Sequence, residues 1–218
     1  MKEFLKKLVV DFFGSYGYVL IPNWRFSHEH YTQSVFMKSL LEYFEIDCVF
    51  DVGANEGQFG LFLRNHVGFT GKIISFEPIP SCLAKLNEYA KLDGNWVVEP
   101  YALGANSGSS KFKIMAGNQF SSFLSPDHNH IDIFSSSNKV IEEIDVKVVA
   151  LDDIFDTLMS RENIKSPYLK LDTQGYDLQV AAGAISSISC FKALQTEASV
   201  TSIYEQSPNY YQTIETFK

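Results

Sequence analysis

An apolar run at residues 46–51 leads directly into Asp51-Val52-Gly53-Ala54-Asn55-Glu56-Gly57-Gln58-Phe59, and a helical pattern opens behind it. A strand that turns on glycine into a helix constrains the topology: the helix crosses back over the sheet, and the next strand joins parallel to the first by a right-handed crossover. Glycine at the turn lets backbone approach a ligand, and a helix N-terminus there favours a polar or anionic group. The unit then repeats. Residues 56–66 read as a helix, 72–76 as a strand stopped by Glu77-Pro78, 81–92 as a helix with Ser81 as N-cap, and 96–101 as a strand. This β-α-β-α-β order implies a doubly wound, mostly parallel α/β sheet.

The flanks differ. Leu5, Leu8, Val9, Phe12 and Phe13 recur at helical spacing before Gly14, Gly17 and Pro22 break the pattern. A second helix is expected over 31–44, with Val35, Phe36, Leu40, Leu41 and Phe44 facing inward. Residues 1–45 are therefore expected as N-terminal helices packed on the core, and 46–218 as the main domain. Lys2, Lys6 and Lys7 would also suit a membrane surface, but packing on the domain is the preferred reading. The start lacks a long apolar core and a small-residue cleavage site. No apolar stretch approaches the roughly 20 residues that span a bilayer. Further on, 110–115 and 144–151 alternate apolar and polar residues around a polar stretch, 117–138, rich in Ser, Asn and His. This reads as a β-hairpin insertion carrying a long loop, and such loops are often functional. Helix over 151–159, strand over 168–172, helix over 177–185, strand over 193–198 and a helical tail over 204–218 complete the chain.

A formal net charge of −8 disfavours a phosphate-backbone partner, so no nucleic acid is expected. Cys48, Cys82 and Cys190 are odd in number and widely spaced, which fits neither a zinc site nor a disulfide framework. Buried free thiols in a reducing, cytoplasmic setting are expected instead.

Glu77 ends the second strand, where doubly wound folds hold a ribose through its hydroxyls. With Asp51, Gly53 and Gly57 it describes a nucleoside pocket at the carboxyl ends of neighbouring strands. A dinucleotide site wants G-x-G-x-x-G, whereas here Asn55 takes the middle position. An acidic strand end without a phosphate cradle suits a zwitterionic amino-acid end better.

These motifs carry a family resemblance. DVGANEGQFGLFLRN followed by IISFEPIP resembles the FkbM family of class I S-adenosylmethionine-dependent methyltransferases. Leu151-Asp152-Asp153-Ile154-Phe155, Leu169-Lys170-Leu171-Asp172-Thr173-Gln174-Gly175-Tyr176-Asp177, Gly183-Ala184 and Ser121-Ser122-Phe123-Leu124 resemble later segments of the family, over about 49–205. The resemblance implies a Rossmann-like methyltransferase sheet. It also implies S-adenosylmethionine as cofactor and O-methylation of a sugar, glycolipid or secondary metabolite. Asp51, Gly53, Asn55, Gly57 and Phe59 would line the methionine end, Glu77 would hold the ribose, and Ala102 and Leu103 would lie near adenine. Asp172 would face the methyl group. The sequence departs from the family at Gln174 and Asp177, where many members carry Glu. The family also usually continues into a closing strand pair that would come after the last residues here. Without it, an open sheet edge invites pairing with another chain, so a homodimer is kept as an expectation.

Methyl transfer is an in-line displacement in which alignment contributes most, and an alcohol nucleophile gains from losing its proton as it attacks. Asp172 is the first candidate base, with a carboxylate that only binds the methionine amino group as an even alternative. Glu197 is the second candidate. His128 and His130 come third, with plain solvent exposure preferred for them. No metal is expected, because a full set of oxygen ligands cannot be assembled. Two other functions compete: a nicotinamide-dependent oxidoreductase, for which neither the glycine spacing nor a Tyr-x-x-x-Lys pair is present, and a cofactor-binding scaffold without turnover.

Overall fold

The structure, a computed structural model, describes residues 2–18, 28–128 and 134–218. Helices α1 (Lys2–Ser15) and α2 (His28–Tyr43) precede β1 (Cys48–Val52), α3 (Gln58–Phe62), β2 (Lys72–Phe76), α4 (Pro80–Asp93) and β3 (Trp96–Glu99). Then come β4 (Ala102–Leu103), β5 (Gly108–Met115) and β6 (Val140–Val149), followed by α5 (Leu151–Glu162), β7 (Pro167–Leu171), α6 (Asp177–Ala182), β8 (Ala193–Gln195) and α7 (Tyr210–Thr216).

The main sheet is parallel throughout, in the order β3-β2-β1-β7-β8. Chain order reverses between β1 and β7, and ligands of open α/β sheets bind at such a switch point. Val52 is in register with both Phe76 and Leu171, so three strands end level and open one crevice. The strands read as continuous apolar runs because both faces are covered. Phe50, Phe76, Leu169, Leu151, Phe155 and Val180 pack on one face, and Val49, Ile73, Leu63, Leu86, Trp96 and Tyr168 on the other. Burying a side chain of this size contributes roughly 1.5–3 kcal/mol. The alternation of neighbours such as Val49 and Phe50 between the two layers reflects the strand period of two.

The insertion forms a second sheet, β4-β6-β5, with β5 and β6 antiparallel. The stretch between them is not a free loop. Ser122 bridges to Lys113, and Pro126 pairs with Tyr204 beyond β8. Ser121, Ser122 and Asn138 are buried. The expected tail helix therefore begins only at Tyr210, where Asn209 and Gln212 form a capping box, because Ile203 and Glu205 bond the backbone of Asp127 and Ser125 in the insertion and the chain then turns at a left-handed Gln206.

Other expectations shift for identifiable reasons. Helix α4 starts with Pro80 rather than being capped by Ser81; proline at the first helical position has no N–H to satisfy. β3 stops at Glu99, before Pro100. Helix α2 turns Ser34, Met37 and Leu41 inward, while Val35, Phe36 and Phe44 stay exposed. In α1, the exposed side chains include Val9, Val10, Phe12 and Phe13, whereas Met37 and Leu41 of α2 join the buried core. Cys48 and Cys82 are buried thiols, but Cys190 is exposed. No helix among the described residues is long and apolar enough to cross a membrane.

Candidate functional site

A cavity of about 490 Å³ opens at the carboxyl ends of β1, β2 and β7, walled by the glycine turn, β4 and the insertion. Its floor is the turn after β1. Gly53 is left-handed (φ 75°), and a Cβ there would overlap the carbonyl oxygen of Asp172. Only glycine permits this approach of the β1 and β7 ends. The Gly53 and Ala54 amides both donate to the Phe76 carbonyl, at 3.1 and 3.2 Å. Glu77 completes the fixation. Its carboxylate accepts the N–H of Asn55 at 2.7 Å and of Ile79 at 2.8 Å, tying the turn to the start of α4. Burial pushes its carboxyl up to about 7, against the downward pull of the two backbone donors.

The back wall is a buried ion cluster. Register sets Lys170 beside Asp51, and the strand period puts Lys170 and Asp172 on the same side of β7. Lys170 Nζ lies 3.0 Å from Asp51 Oδ1, 3.2 Å from Asp172 Oδ2, and 5.2 Å from the centre of the Phe59 ring. Burial opposes its charge, but Asp51 and Asp172 outweigh it and hold the ammonium above the ordinary lysine range. The other Asp51 oxygen accepts Ser75 Oγ at 3.2 Å, and Ser75 Oγ accepts Trp96 Nε1 at 2.9 Å. Such a cluster orients groups more than it stabilises the fold.

Beyond β7 the chain is left-handed at Gln174 and Gly175 (φ 54° and 87°). Gln174 Nε2 donates to Asp172 Oδ1 at 2.8 Å and lies 3.4 Å from Glu197 Oε2. Asp172 is thus held between Lys170 on one oxygen and an amide on the other. Glu197 follows β8 at the mouth. Its side chain opens to solvent, yet desolvation by the wall, with Asp172 and Asp177 nearby, pushes its carboxyl up to about 7.

Gly53, Asn55, Phe59, Glu77, Ala102, Leu103, Asp172 and Glu197 all line the cavity. Asp51 and Gly57 stand behind the wall instead. Asp51 is fully buried against Lys170, and a Cβ on Gly57 would meet Leu86 at 2.9 Å and Trp96 at 3.3 Å. His128 bonds the carbonyl of Asn138 at 3.0 Å, away from this wall, and His130 lies outside the described residues. Among the described residues no group of three or more His, Cys, Asp or Glu converges as a metal site. Lys170, Asn118, Gln119 and Gln33 line the cavity without having been singled out from sequence. A lysine inside an apolar strand was the one available signal; the glutamines come from α2 and the insertion, whose placement depends on tertiary packing.

Comparison with curated proteins finds no match. Among solved structures, the crystal structure of methyltransferase FkbM from Methylobacillus flagellatus KT aligns at TM-score 0.45 and 17% identity. The alignment covers 80% of this chain and 45% of that one, so the chain spans less than half of that protein's length. The sequence model of the methyltransferase FkbM domain matches residues 51–218, from the last residues of β1 through the insertion to the end of α7. On that match, the chain belongs to the FkbM methyltransferase family.

Proposed function

We propose that the chain transfers the methyl group of S-adenosylmethionine to a hydroxyl of a sugar, glycolipid or secondary metabolite. The observation that carries this reading is the buried Glu77 carboxylate facing a cavity that a glycine turn keeps open. After accepting two backbone N–H groups, each Glu77 oxygen keeps a lone pair for a ribose hydroxyl. Ile79, Ala102 and Leu103 offer apolar contact for adenine, and Gly53, Asn55 and Phe59 line the methionine end. Asp51 and Gly57 act from behind, the first by fixing Lys170 and the second by letting α3 start against Trp96.

When bound, S-adenosylmethionine supplies a methyl group on a positively charged sulfur. The chain's residues align and deprotonate. Asp172 either orients the attacking hydroxyl or holds the methionine amino group. Glu197, pushed up to about 7, is matched to accepting a proton at neutral pH. The cavity lining also carries uncharged amides, Gln33, Gln58 and Gln119, together with Phe59 and Phe62. Amides and aromatic faces together suit a hydroxyl-rich acceptor.

Calorimetry with S-adenosylhomocysteine, then transfer of labelled methyl to a panel of sugars and glycolipids, tests the reading. Binding plus transfer that Asp172→Asn lowers about 10²–10⁴-fold is expected for a base. Absence of binding would reject the donor; tight binding without transfer to any acceptor would favour a non-catalytic cofactor-binding protein.

A further inference from the structure

The segment after β8 brings a buried phenol behind the two carboxylates. The Tyr204 hydroxyl stands 2.8 Å from the carbonyl of Phe120 and 3.1 Å from Oε1 of Gln174. The opposite end of the same amide donates to Asp172 at 2.8 Å and faces Glu197 at 3.4 Å. Gln174 is also gripped through its main chain, since Ser122 Oγ donates to its carbonyl at 2.9 Å. A left-handed non-glycine residue held from both sides is the kind of backbone that clusters at functional sites. Phe120 and Ser122 belong to the insertion, so Gln174 joins the insertion to the carboxylates.

A primary amide has two ends of similar shape, and its neighbours decide which end faces which. With N–H directed at two carboxylates, the oxygen end needs a donor, and the single Tyr204 phenol proton is shared between this oxygen at 3.1 Å and the Phe120 carbonyl at 2.8 Å. The reverse orientation would put the amide oxygen against both carboxylates and would demand a proton on one of them.

We infer that Tyr204 and Gln174 are positioning residues: the phenol fixes the amide so that it donates to Asp172 and Glu197 together, and seating the insertion on this pair aligns the two carboxylates. The inference rests on the assignment of Asp172 and Glu197 to methyl transfer. The charged and titratable groups around Glu197 are Lys170 from β7, Asp172 just beyond it, Asp177 from α6 and Tyr204 beyond β8. Against the acidic pair, an amide N–H favours the charged form of Glu197, so loosening the amide raises the pH at which that carboxyl titrates.

The test tracks the Glu197 side-chain carboxyl carbon by NMR in glutamate-labelled protein, assigned with Glu197→Gln, from acidic to alkaline pH. Tyr204→Phe and Ser122→Ala are each expected to move the midpoint up by about half a pH unit or more, while the exposed Tyr211→Phe leaves it in place. The Ser122→Ala result is the more telling, because that hydroxyl bonds neither carboxylate: it donates to the Gln174 carbonyl and accepts the Leu124 N–H at 3.1 Å. A midpoint unchanged in both variants overturns the inference. Should Tyr204→Phe fail to fold, Gln174→Met, which keeps the length and lacks the donor, gives the same reading. S-adenosylhomocysteine titration of the wild type is run alongside. No binding there rejects the donor assignment, whereas an unmoved midpoint with normal binding rejects only the positioning role.

Discussion

Replacing Glu77 with glutamine separates the cost of a buried charge from its use. The two N–H groups of Asn55 and Ile79, at 2.7 and 2.8 Å, both need an acceptor, and glutamine offers one oxygen. One donor then faces an NH₂ group, at a cost of about 1–3 kcal/mol. Against this, the wild-type carboxyl is raised from 4.5 to about 7, so above neutrality its buried charge costs roughly 3 kcal/mol relative to the unfolded chain, a cost glutamine does not carry. The two effects nearly cancel. At pH 8 the thermal midpoint of Glu77→Gln is expected within about 4 °C of wild type, since 1 kcal/mol moves a domain of this size about 2–4 °C. Affinity has no such compensation. Losing a charged acceptor for ribose hydroxyls, worth about 1.5–3 kcal/mol, weakens S-adenosylhomocysteine by about 10–100-fold. The pH sign is also fixed. A raised carboxyl contributes stability that is present below about 4.5 and lost as pH climbs through about 7, so wild-type stability declines across that window. Glu197 contributes with the same sign, so the Glu77→Gln curve is flatter but not flat. Scanning fluorimetry and calorimetry suffice. Affinity within about twofold of wild type would refute the ribose role. A fall of more than about 8 °C at pH 8 would refute the cancellation.

The same geometry sets three further outcomes. Gly53→Ala places a Cβ onto the Asp172 carbonyl with a left-handed backbone (φ 75°), so it loses more than the 1–2 kcal/mol or so of backbone strain alone, measured by denaturant unfolding; wild-type stability would contradict the strand contact. Lys170→Met leaves Asp51 buried and unpaired, at a cost of about 3–5 kcal/mol, and pairing it with Asp51→Leu should recover part of the loss; additive losses in the double-mutant cycle would deny the coupling. Bound ribose hydroxyls favour ionised Glu77, so S-adenosylhomocysteine binds more tightly as pH rises, by up to about tenfold per unit below about 7 and then levelling; a flat calorimetric profile over that range counts against the contact.

The elements that sequence foretold are those whose evidence is local. Gly53 and Gly57 after an apolar run mark a strand-turn-helix, and Glu77-Pro78 marks the next strand end; both lie at the crevice. What was not legible depends on pairing across the chain. Lys170 was visible as a lysine in an apolar strand, but its partners Asp51 and Asp172 are set by register and the strand period. Tyr204 was read as part of a helical tail, because nothing nearby announces that it pairs with Pro126 and reaches Phe120 and Gln174. The polar stretch of the insertion lacked periodicity because its buried serines satisfy neighbouring backbone: Ser121 Oγ accepts the Met115 N–H, and Ser122 Oγ donates to Gln174. On α2 the inward reading holds for Leu40 and Leu41 but not for Val35 and Phe36, whose apolar weight matches that of buried Met37 although they stay exposed.

The crystal structure of the protein with S-adenosylhomocysteine tests the donor-site claim most directly. The ribose hydroxyls are expected within about 2.6–3.2 Å of the Glu77 carboxylate, with adenine beside Leu103 and sulfur toward Asp172. Ligand bound outside this crevice, or a Glu77 side chain turned from the sugar, would contradict it.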